Sequence, residues 1–165
     1  MSENAPFVPT YFRTPTYPLF LACVYFLFGH SFPLVTIIQA FLDTASCYLV
    51  YLISIKSGLL QRRNITSLAL AALCPFTSIY ACYILTETLS IFLFTLSLWL
   101  LIEGRTRSST GCYWLCGMAM ATLTLCRPAF VLLPAVLAVA LFVRDGKKKA
   151  LRYLLYSLFG FFLVL

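Results

Sequence analysis

Charge is what this sequence has least of. Only 10% of its 165 residues are charged, five of them acidic, and there is a single histidine. A soluble domain carries about 25% charged residues, so too few are present to clothe a water-facing surface. That scarcity excludes an ordinary globular enzyme domain and a nucleic-acid-binding module. Paired cysteine motifs are missing too: no CxxC occurs, and Cys23, Cys47, Cys74, Cys82 and Cys126 stand singly inside apolar runs. Those thiols read as small buried hydrophobes, not as the disulfide framework of a secreted mini-protein. Cys112 and Cys116 share a helix face, but with no second pair or nearby histidine they do not make a metal site. Tandem repeats and low-complexity linkers are also lacking. Residues 1–16 hold no basic stretch followed by an apolar core, so no cleavable signal peptide is expected.

What the chain does have is apolar residues, 62% of the total. They fall into runs at 17–29, 34–55, 66–84, 87–102, 111–126, 128–143 and 153–165. At about 20 residues per crossing, this pattern predicts an all-α polytopic transmembrane helix bundle of about six spans. The run 17–29 is the exception, because a helix of that length rises only about 20 Å against a core of about 30 Å. Its aromatics and its bounds at Pro18 and Gly29-His30-Ser31 predict an interfacial helix on the outer face. The stretch 111–143 is instead too long for one crossing, and Arg127-Pro128 marks a turn in its middle. The chain thus reads as one membrane domain over 1–165: an outer segment 1–16, the interfacial helix 17–29, and transmembrane helices from 34 to 165.

The bases support this count. They cluster at Lys56/Arg62/Arg63, at Arg105/Arg107, and at Arg144/Lys147/Lys148/Lys149/Arg152. Two crossings over 111–143 put all three clusters on one side, ten of the twelve Lys and Arg, and leave Arg13 and Arg127 opposite. The positive-inside rule then orients the chain. The formal net charge of +7 reflects this topology and attraction to an anionic inner leaflet, not nucleic-acid binding.

The outer face collects Arg13-Thr14-Pro15-Thr16-Tyr17-Pro18, His30 with Ser31, Thr86-Glu87-Thr88, and Arg127-Pro128. Arginine binds phosphate bidentately through its planar fork, which suits an anionic lipid-linked substrate. A carboxylate in a membrane-facing cleft can serve as general base or metal ligand.

Arg13-Thr-Pro-Thr-Tyr-Pro-Leu-Phe-Leu-Ala, followed by Leu27-Phe28-Gly29, resembles the R-x-P-x-Y-P-L-F-L-A…L-F-G signature of the GT-C membrane glycosyltransferases. These are the multi-spanning enzymes related to protein O-mannosyltransferases and to the aminoarabinose transferases that modify lipid A. The resemblance continues through Ile38-Gln39-Ala40, Arg62-Arg63, Pro75, Thr86-Glu87-Thr88 and Arg127-Pro128. It implies transfer of a sugar from a polyprenyl-phosphate donor to a lipid, glycan or protein acceptor on the outer side of the membrane. It further implies that Arg13, with Tyr17 and Arg127, binds the substrate and that Glu87 is the catalytic carboxylate. His30 lies near a position that some relatives use for a metal. No cofactor is indicated, although a divalent metal is compatible with such a site. Membrane lipids are the other expected partners, and a bacterial inner membrane with the site facing outward is the expected location. Relatives begin with one more span and an Asp-bearing loop, whereas only Glu3 is acidic before the motif, so an internal piece of a transferase, a truncated gene product or a partner-dependent half is expected.

Each residue has a plainer alternative. Arg13 suits a membrane-edge anchor, Glu87 a helix N-terminus favoured by the dipole, Arg127 a cap for carbonyls freed by Pro128, and His30 a turn. Asp43 is costly inside a span; with Thr36, Gln39 and Cys47 it forms a helical stripe that predicts an interhelical hydrogen bond, or else a proton or ion relay. Two other functions stay open: a non-catalytic membrane protein that binds carrier lipid or assembles with a partner, and a small transporter built on Asp43.

Overall fold

A computed structural model describes residues 14–57, 64–73 and 86–164. Among these the chain is all-helical: α1 Thr16–Phe28, α2 Phe32–Ser57, α3 Asn64–Ala72, α4 Thr86–Arg107, α5 Thr110–Cys126, α6 Leu133–Asp145 and α7 Lys147–Val164. A 3₁₀ turn, Pro128–Phe130, leads into α6. The all-α helical bundle expected from the apolar runs is what forms.

Local chemistry sets the breaks. Gly29 ends α1 with φ 79° and returns its N–H to the Tyr25 carbonyl at 2.9 Å, a conformation that side chains other than glycine resist. Gly146 closes α6 in the same way with φ 85°. Arg127 is forced extended (φ −143°, ψ 107°) because the ring of Pro128 disfavours the helical region for the residue before it, so α5 stops at the expected turn. Glu87 in the first turn of α4 and Arg105 and Arg107 in its last both suit the helix dipole.

Three helices are long and apolar enough to cross a membrane: Phe32–Ser57, Thr86–Arg107, and Pro128–Asp145 counting the 3₁₀ turn. Thr16–Phe28, Thr110–Cys126 and Ala150–Val164 are apolar but shorter. Most of the run 66–84 lies outside the described residues.

The distribution of side chains is inverted relative to a water-soluble fold. Phe26, Phe41, Val143 and Phe162 are exposed, while Gln39, Ser97, Thr88 and Ser157 are buried. Exposed apolar surface on this scale suits lipid, and hydroxyls turned inward are common between membrane helices. Three of the buried hydroxyls avoid desolvation by bonding about one turn back. Ser90 donates to the Thr86 carbonyl at 2.7 Å, Thr95 to Ile91 at 2.9 Å, and Ser97 to Phe94 at 2.7 Å.

α5 is the central helix, with α4 antiparallel beside it and α7 across it. α4 also packs on α2, and α6 on α7. α1 folds back on α2: Tyr17 lies about 16 Å before the end of α1 and Gln39 about 10 Å into α2, yet their side chains bond at 3.2 Å. The two helices therefore meet at an acute corner at Gly29–Ser31.

α7 keeps to one half of α5. Ala150 and Tyr153 share a core cluster with Tyr113, Cys116 and Met120, while Leu155, Tyr156 and Phe159 line a recess with Thr110, Gly111 and Trp114. Its C-terminal turns thus stay level with the start of α5. Small residues permit the crossing: a Cβ on Gly117 would lie 2.1 Å from the Ser157 carbonyl oxygen, and one on Gly160 2.4 Å from that of Trp114. Backbone contact through glycine and serine is a recurrent membrane-helix interface.

Candidate functional site

The ion-paired side chains segregate to the two ends of the α4–α5 hairpin. At the end where α4 finishes, Glu103 is paired with both Lys56 and Arg107, and Lys56 lies 5.8 Å above the Trp99 ring. Arg105 Nη2 donates to Asp145 Oδ1 at 2.8 Å, tying α4 to the end of α6. Lys56, Arg105, Arg107 and Arg144 therefore gather at one end, as the charge count required. Lys148 and Lys149 add to that charge by sequence.

Counting bases does not single out Glu103 and Asp145, although Glu103 and Arg107 stand four apart on one helix and so carry a readable signal. Of the carboxylates in the described residues, Glu87, Glu103 and Asp145 are each paired with a base; Asp43, half-buried on α2, makes no hydrogen bond or ion pair. The interhelical bond expected of its stripe belongs instead to Gln39, one turn earlier, whose amide donates to the Tyr17 hydroxyl at 3.2 Å.

At the opposite end two of the expected site residues come together. Glu87 opens α4, Arg127 follows α5, and antiparallel packing brings them into an ion pair between Arg127 Nη2 and Glu87 Oε1. One turn beneath, Ser90 Oγ lies 3.3 Å from Cys126 Sγ, which fixes the register of the two helix ends. The Arg127 side chain is 43% exposed and that of Glu87 23%, so the pair sits at an edge and not in the core. Arg127 uses one of five N–H donors on Glu87, and the fork retains others for an anion. Glu87 Oε2 and the neighbouring Thr88 Oγ1 are both buried and have no partner among the described residues. Two orphaned polar atoms at one helix start call for an explanation, because buried polar atoms are nearly always bonded.

Tyr17 lies close by but faces inward. It is buried among Leu89, Leu93, Leu123 and Cys126, and its hydroxyl accepts from Gln39. Thr16 Oγ1 donates to the Thr122 carbonyl at 3.4 Å and fastens the start of α1 to α5. His30 is exposed at the α1–α2 corner, stacked on Tyr25 at 4.3 Å between centroids and edge-on to Phe32 at 5.4 Å. Nearly the length of α1 separates it from Tyr17. Arg13 lies outside the described residues.

Among the described residues no group of three His, Cys, Asp or Glu side chains is placed to hold a metal ion. Cys116 is buried and its thiol donates to the Ser97 carbonyl at 3.2 Å, while Cys112 is half-buried. Cavities open on the α5–α7 flank, between α6 and α7, and between α4 and α6, and neither Glu87 nor Arg127 lines any of these.

Chemically, the Glu87 end offers a carboxylate anchored through one oxygen with the other unengaged, beside a half-exposed guanidinium. Such a pair can take a proton and neutralise an anion at the same edge. Compared with protein-family models, curated proteins and solved structures, the chain matches none.

Proposed function

We propose that the chain is a membrane glycosyltransferase of the GT-C type, or part of one. It moves a sugar from a polyprenyl-phosphate carrier to a lipid, glycan or protein acceptor at the Glu87 end of the bundle. In a bacterial inner membrane this end faces outward, because the basic end takes the inner side. The observation that supports the reading is the Glu87–Arg127 pair with Glu87 Oε2 unengaged.

In the proposed reaction an acceptor hydroxyl attacks the anomeric carbon of the donor and Glu87 takes its proton. The bond from that carbon to the phosphate oxygen breaks, and polyprenyl phosphate leaves with the electron pair, inverting the centre. Arg127 holds Glu87 in place and, with Arg13 of the R-x-P-x-Y-P motif, offsets the charge on the departing phosphate. The rate comes from positioning two substrates and from preorganised positive charge. Tyr17 acts from the core, holding α1 against the α4–α5 hairpin.

The full chain in liposomes, given labelled polyprenyl-phosphate sugar, tests this through donor binding and release of polyprenyl phosphate. Arg13→Ala is expected to lose donor binding; unchanged binding removes that residue from the site. A second reading is favoured by the mutual neutralisation of Glu87 and Arg127, which suits a structural lock in a non-catalytic protein that binds carrier lipid. Donor binding with no transfer from the wild type selects it.

A further inference from the structure

The groove between α6 and α7 is separate from the Glu87 end. It encloses about 450 Å³ and is walled by Val139 and Phe142 on α6 and by Ala150, Leu151 and Leu154 on α7, with Lys147 at its mouth. Among the described residues Lys147 is the one charged side chain in its lining. The groove opens to the surroundings: Val139, Phe142, Leu151 and Leu154 are all exposed. From Lys147 to Leu154 it follows α7 for about 10 Å.

The local charge is strongly positive. Residues 144–152 hold five bases and one acid, Asp145, and that acid is taken by Arg105. No carboxylate among the described residues therefore compensates Lys147, which is exposed and stands where α6 turns into α7. An apolar slot ending in an uncompensated ammonium is complementary to a molecule with a hydrocarbon chain and an anionic head.

We infer that this groove is a binding site for an anionic phospholipid of the leaflet at the basic end, one acyl chain lying between α6 and α7 and the phosphate at Lys147. A zwitterionic lipid fills the same slot but brings its own cation to the Lys147 end. The groove therefore selects by head group and not by chain. Occupancy adds a wall that the protein lacks on this side, holding α6 against α7. The inference rests on the bundle being membrane-embedded and is independent of the sugar-transfer reading.

Native mass spectrometry on the full chain in detergent, titrated with phosphatidylglycerol or phosphatidylcholine of the same acyl chains, tests it. The wild type is expected to retain phosphatidylglycerol preferentially. Lys147→Ala is expected to lower phosphatidylglycerol affinity about fivefold and to leave phosphatidylcholine unchanged. Val139→Trp, at a position already 62% exposed, blocks the slot without touching the core and is expected to lower retention of both lipids. Equal retention of the two lipids by the wild type overturns the site. So does a loss on Arg107→Ala, at the basic end but outside the groove, equal to that on Lys147→Ala, which shows diffuse attraction to that end, or full retention by Val139→Trp.

Discussion

Placing a side chain on Gly117 should force α5 and α7 apart. A Cβ there would lie 2.1 Å from the Ser157 carbonyl oxygen and 2.7 Å from its Cα and carbonyl carbon, whereas ordinary contact begins near 3.4 Å. The obstructing atoms are backbone, so no rotamer change relieves the overlap and one helix must move by more than about 1 Å. Moving it loosens the cluster in which Tyr113, Cys116 and Met120 of α5 meet Ala150 and Tyr153 of α7. Overpacking of this kind costs about 1–3 kcal/mol, and Gly117→Val, with two more methyls at the same place, should reach the upper end of that range. Gly160→Val should behave alike, since its Cβ would lie 2.4 Å from the Trp114 carbonyl oxygen. Unfolding of the full chain in mild detergent, followed by tryptophan fluorescence, reads the effect, with Trp114 at the crossing as reporter. Gly111 supplies the control: its Cβ would meet only Ser109 Oγ at 3.8 Å, so Gly111→Ala should be neutral or slightly stabilising. Equal midpoints for Gly117→Val and the wild type, or equal losses for Gly117→Ala and Gly111→Ala, would refute the close crossing.

Two further outcomes follow from other contacts. Tyr17→Phe removes the acceptor of the Gln39 amide in a buried position and should lower stability by about 1 kcal/mol in the same unfolding assay, with Gln39→Leu costing less when combined with Tyr17→Phe than in the wild type. At the basic end, Lys56→Ala should cost more than Arg107→Ala, because Lys56 is 30% exposed and Arg107 73%, and pairs open to solvent contribute little. Equal effects of the two substitutions on the unfolding midpoint would show that the Glu103 cluster is not organised around Lys56.

The features that can be read from the sequence are those decided within a few residues. The end of α1 at Gly29 and the break at Arg127-Pro128 depend on φ and on a proline ring, and both stand where expected. The gathering of Lys56, Arg105, Arg107 and Arg144 at one end is also legible, because helices that reverse direction bring their charged ends back to the same end of the bundle. Contacts set by tertiary packing are not. The Glu87–Arg127 pair joins residues 40 apart and depends on the register of α4 on α5, which Ser90 and Cys126 set from inside. Asp43 and Gln39 share one stripe, and only the fold-back of α1 decides that Gln39 gains a partner from it. The course of α7 is equally hidden. A lysine cluster followed by apolar residues reads as the start of a crossing, whereas Gly117, Ser157 and Gly160 hold it across the first half of α5.

The proposed sugar transfer requires that the Glu87–Arg127 pair does chemistry. Its most direct test is the rate of sugar transfer from a polyprenyl-phosphate donor by Glu87→Gln beside the wild type, with donor binding measured on the same samples. The substitution keeps the size of the side chain and removes its charge. If Glu87 takes the acceptor proton, transfer should fall by about 10²–10⁴ while donor binding stays within about twofold. Transfer by Glu87→Gln at the wild-type rate, with the protein folded and the donor bound, would contradict the account and leave the pair as a lock between α4 and α5.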